Sequence, residues 1–115
     1  MNNSIRGIYL TVTSQLLGFA QAHLSNLEKY DPELFPESTR AAVTRATGYF
    51  CCASGILRAL DADPGLIEAT ESANFACSHY LAEGDDGYNR LLVGLRGLVR
   101  VAEAVVEYLT EKKGG

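Results

Sequence analysis

Tryptophan is missing from the chain, and among 115 residues there are three prolines, three cysteines and one methionine. Three cysteines cannot form a paired framework, and Cys51 and Cys52, as helix neighbours, would point about 100° apart, which excludes a bridge between them. A reduced, cytoplasmic setting is therefore expected. Neither a Cys-x-x-Cys nor a Glu-x-x-His pair occurs. Cys77 and His79 lie two apart, on nearly opposed sides of a helix, so no metal set and no cofactor is expected. The cysteines read as small buried hydrophobes. No alternating run of β-branched residues is present, which argues against strands. No apolar run reaches the roughly 18 residues of a membrane span. Basic excess is missing as well: ten Lys and Arg against fourteen Asp and Glu give a net charge of −4. That disfavours nucleic acid and anionic membranes as partners.

What the chain does contain is Leu and Ala at helical spacing. Ile5, Ile8, Tyr9, Val12, Leu16, Phe19, His23, Leu27 and Tyr30 recur every three or four residues, with Ser4 as the expected cap. The segment around Ala20-Gln21-Ala22 mimics a leader cleavage site. However, Thr11, Thr13, Ser14 and Gln15 interrupt the apolar stretch, and the periodicity continues past it, so a helix is the better reading. Pro32 and Pro36 break the pattern. A second helix follows, with Val43, Phe50 and Leu57 a heptad apart and Ala46, Ala53 and Leu60 between them. Asp63 and Pro64 open a third helix, which Gly84 ends with a left-handed residue. Asp85 or Asp86 would cap a fourth, with Leu91, Leu95, Leu98, Ala102 and Leu109 on its apolar face. The expected fold is all-α: one antiparallel up-down-up-down four-helix bundle spanning the whole chain, with helices near 4–30, 36–62, 64–83 and 86–111.

Glycine inside a helix costs about 1 kcal/mol against alanine, so the internal glycines call for a compensating contact. Ala41, Gly48, Cys52, Gly55, Ala59 and Ala62 line up on the second helix. Gly7, Thr11, Ser14, Gly18, Ala22 and Ser25 do so on the first, and Gly87, Gly94, Gly97 and Ala104 on the fourth. Such stripes let helix axes approach closely, so they are expected at a crossing, within the chain or between two copies. Gly48, Tyr49, Cys52, Gly55 and Ala59 are the expected interface.

Charge is segregated. Seven acids and no base lie between Asp61 and Asp86, while Arg40, Arg45 and Arg58 precede them and Arg90, Arg96 and Arg100 follow. Solvated salt-bridge faces account for most of these groups. Tyr88, Arg90, Arg96 and Arg100 are the candidate contacts for a partner or an anion, because Arg and Tyr dominate binding hot spots. "DADPG" fails the calcium-loop pattern and reads as helix capping. Neither His23 nor His79 sits in the His-x-x-Lys-Gly pattern of phosphotransfer bundles, and neither follows an Arg at the spacing of RNA-cleaving bundles. No catalytic constellation is legible. The expected function is a non-enzymatic protein-interaction module of adaptor, chaperone-like or immunity type, acting on a protein partner or as a homodimer. The alternative is a small-molecule-binding bundle or an enzyme with a pocket between helices, lined by glycines such as Gly18, by tyrosines and by His23.

Overall fold

The computed structural model describes residues 3–114, in which no strand occurs. The helices are α1 (Asn3–Lys29), α2 (Pro36–Ala59), α3 (Pro64–Glu83) and α4 (Tyr88–Gly114), with a short 3-10 turn, Gly84–Gly87, before the last. Among the described residues no helix is long and apolar enough to cross a membrane. Each helix packs on its sequence neighbour and α4 closes on α1, giving an elongated body of 48 × 23 × 18 Å.

Helix ends follow local chemistry. Pro36 and Pro64 occupy first turns, and the Asp63 carboxylate accepts from the Leu66 N–H at 3.2 Å. α2 ends at Ala59 rather than near residue 62. Asp61 takes the left-handed conformation (φ 56°), its N–H bonds the Arg58 carbonyl, and the Ala62 N–H bonds that of Leu57. This is a Schellman closure with aspartate where glycine is usual. Gly84 has the expected positive φ, 69°, but its ψ of −137° lies outside the left-handed helical region. Asp85 and Asp86 belong to the 3-10 turn that feeds α4, rather than capping it from outside. Ser4 sits inside α1, which already begins at Asn3.

The core is the predicted ladder: Leu16, Val43, Phe50, Leu57, Leu66, Leu91, Leu95 and Leu98 are fully buried. Thr13 and Thr70 join it because each hydroxyl donates to a carbonyl four residues back, at 2.8 Å, and so leaves no orphaned polar atom. Two tyrosines tie the ends together. The Tyr9 hydroxyl accepts from the Asp63 N–H at 3.0 Å, and the Tyr88 hydroxyl donates to the Leu27 carbonyl at 2.6 Å. Arg6 of α1 donates to the Leu109 carbonyl of α4 at 3.0 Å, a further tie between the two helices.

The small-residue stripes are where expectation and structure part. A Cβ at Gly7, Gly18, Gly48 or Gly55, or at Gly97 of α4, would meet nothing within 4 Å, so these positions make no crossing inside the chain. At about 100° per residue, both stripes lie roughly 180° from the core faces of their helices, not beside them. Cys51 and Cys52 are exposed for the same reason, against the expectation that they pack as buried hydrophobes, and only Cys77 is buried. Ile5, Ile8 and Tyr30, counted above in the apolar stripe, are exposed too. Small residues do mediate close packing between α3 and α4. A Cβ at Gly94 would lie 3.3 Å from the Ala76 Cβ, and one at buried Gly87 3.0 Å from the Tyr80 Cα.

The two glycine classes should respond with opposite signs. Gly48→Ala meets no neighbour in the fold and lowers the conformational entropy of the unfolded chain, so it should stabilise by up to about 1 kcal/mol. Gly94→Leu overpacks the α3–α4 crossing and should cost about 1–3 kcal/mol. Urea unfolding midpoints would check both, and a destabilised Gly48→Ala would show that this face does pack.

Candidate functional site

Two places combine surface access with unspent chemistry. The first lies between α1 and α2. Midway along these helices Phe19 stacks on Tyr49 with centroids 4.0 Å apart and planes within 8°, and it meets Phe50 edge-on at 5.6 Å. Near the connecting segment Tyr30 meets Phe35 edge-on at 5.9 Å. Between these aromatic groups the facing residues are small or short, among them Ser38, Thr39, Ala42 and Asn26, and a cleft of about 430 Å³ opens. Leu27, Tyr30, Phe35 and Ala42 give it apolar walls.

His23 lines this cleft, only 6% exposed, with its ring 6.1 Å from Phe19. Among the described residues its Nε2 finds no hydrogen-bond partner. Burial, and secondarily the Arg45 charge, hold its pKa below the ordinary imidazole value, so the ring is neutral at neutral pH. The Thr39 hydroxyl is engaged, donating to the Phe35 carbonyl at 2.8 Å, which leaves His23 as the cleft residue with an unmet bond. Of the pocket residues expected from sequence, His23 lies here and Gly18 does not; no glycine lines this cleft.

The second place is the outer face of α3 and α4. Phe75 and Val93 are 68% and 66% exposed. They share a groove of about 500 Å³ with Glu68, Glu71, Ser72, Ala76, Arg90 and Gly94. Arg90 lies at one end, 3.5 Å from His79 Nε2. The antiparallel run of the helices puts Glu68 at the other end, about 16 Å along the axis at 1.5 Å per residue. Glu71 pairs with Arg58 of α2 at 2.6 Å, and that hydrogen bond holds its carboxyl below the usual range.

The remaining candidates are scattered. Gly48, Cys52, Gly55 and Ala59 lie on the outer face of α2, while Tyr49 is half-buried against Phe19. Tyr88 braces α1, and Arg96 lies 3.8 Å from Glu28. Arg100 lines a separate cavity of about 600 Å³ with Tyr9, Asp63, Val101, Val105 and Tyr108. The arginines of α2 and α4 form no common patch, since these helices lie diagonally, with no Cα of one within 8 Å of the other among the described residues. Sequence reading missed Phe75 and Val93. The signal was available: Phe75 falls on the helical face of Glu68, Glu71 and Ser72, opposite Cys77 and Ala73. Ser38, Thr39 and Ala42 were missed because nothing in their own pattern marks a cleft.

A histidine kept neutral by burial links stability to pH. The unfolded chain takes up a proton near 6.5, while folded His23 takes it up only at lower pH. Stability should therefore fall as pH drops through 6.5, and stop falling on this account once the folded ring also titrates. Thermal melts from pH 8 to 5 should show this slope reduced in His23→Leu. An equal slope in the variant would mean that His23 is not held neutral.

The chain matches no protein-family model, no curated protein and no solved structure.

Proposed function

We propose that the chain is a non-enzymatic interaction module, an antiparallel up-down-up-down four-helix bundle that works by pairing with a second copy of itself. The observation that carries this reading is the Phe75–Val93 patch. Two large apolar side chains stand side by side in water, about two-thirds exposed each, over a close helix crossing. Exposed apolar patches rimmed by charge mark association surfaces on otherwise soluble-type folds.

The charge layout favours a second copy as occupant. The groove is cationic at the Arg90 end and acidic at the Glu68 end, with the apolar pair between. A two-fold axis through its middle sets Arg90 of each copy against Glu68 of the other and brings the Phe75 rings together. This is the self-complementarity that an isologous interface requires. The small-residue face of α2 remains available to a further contact but carries no part of this reading.

Light scattering at micromolar to sub-millimolar concentration tests it. Wild type should be a dimer, and Phe75→Glu a monomer with unchanged helicity, since Phe75 supports no core contact. Arg90→Glu should weaken the dimer by about tenfold or more, and Arg90→Glu with Glu68→Arg should restore it. A monomeric wild type across this range, or a double variant no better than the single, would overturn the pairing.

A further inference from the structure

We infer that the cleft between α1 and α2 is a binding site for a small, uncharged, largely apolar ring compound carrying one hydroxyl, with His23 as its polar anchor. This inference is independent of self-pairing, because the cleft and the Phe75 groove lie on different pairs of helices. Three observations combine. The volume, about 430 Å³, falls within the range of small-molecule pockets. The walls supply apolar and aromatic surface from Leu27, Tyr30, Phe35 and Ala42, suited to a ring. A buried imidazole nitrogen, Nε2 of His23, lacks any partner. A buried polar atom left unpaired costs about 1–3 kcal/mol, a penalty that a ligand able to bond it would remove.

The hydroxyl follows from the imidazole. A neutral ring presents each nitrogen as either a donor or an acceptor, and a hydroxyl can answer whichever Nε2 is. A carboxylate fits worse. No charged residue lines the cleft, so its apolar walls would strip water from a carboxylate with no ion-pair partner in the lining to replace it. A ligand cation would lie against the Arg45 charge, which is felt at His23.

Naphthol is a suitable probe, with naphthoate as its charged counterpart, titrated into nitrogen-15-labelled full-length protein. Sub-millimolar naphthol should shift the amide signals of His23, Leu27, Thr39 and Ala42 and move the ring nitrogen-15 signal of His23. Naphthoate should bind at least tenfold more weakly. His23→Leu keeps the apolar wall and should weaken naphthol binding roughly 3- to 10-fold, the worth of one hydrogen bond. Ala42→Phe should block the cleft. If either variant fails to fold, the wild-type ring signal alone decides: an unmoved His23 ring at saturating naphthol overturns the proposal. Shifts confined to other surfaces, equal binding of naphthoate, or undiminished binding by folded His23→Leu would overturn it as well.

Discussion

A helix in this protein can bury one face only, and the rest of the structure depends on which face that is. Phe50, Leu57 and Val43 turn one side of α2 inward, and Leu16 and Leu27 do the same for α1. With the bulky residues committed to the core, everything opposite them must face water. Glycines, threonines, serines and two cysteines therefore line the outer surfaces of these helices. Their small size brings no close approach within the chain, because none of its other described helices lies there.

The helix pairings divide the labour differently. α3 and α4 come together through Gly94, Ala73 and Ala76, whose small side chains let the backbones meet. That closeness leaves no room for Phe75 and Val93 at the seam, and they stand outside it. α1 and α2 are the loosest neighbours. Phe19, Tyr49 and Phe50 fill their middle, Tyr30 and Phe35 their end, and between them short side chains leave the cleft. An aromatic cluster is bulky enough to hold two axes apart over neighbouring turns, and small residues in those turns cannot reach across. His23 is caught in this arrangement: deep enough to lose water, yet beside a space rather than a partner.

Much of the helical organisation was legible in residue types. Pro36, Pro64 and the Asp63 cap set starts that the structure reproduces, because these residues act on their own backbone. The end of α2 was misread because Asp61 took a conformation that sequence habit reserves for glycine. The stripes of α1 and α2 make no crossing within the chain, and the sequence reading missed this for a simpler reason: their spacing was noted and their angle to the core was not. Gly87 and Gly94 follow the same spacing as Gly48 and Gly55 but lie toward a neighbouring helix. Spacing alone therefore does not separate glycines packed within the chain from those that face outward. His23 was legible as a core-facing histidine. The cleft beside it was not, since it depends on Thr39 and Ala42 of a different helix.

The sequence by itself determined the helical class, the start of each middle helix and the residues that fill the core, because periodicity, prolines and caps act within a few residues of themselves. Only the tertiary structure decided which small residues touch anything, that Phe75 and Val93 remain in water, and that a gap opens beside an unpartnered imidazole. Those outcomes depend on the distance and rotation between helices, which are set by the summed packing of side chains far apart in the chain.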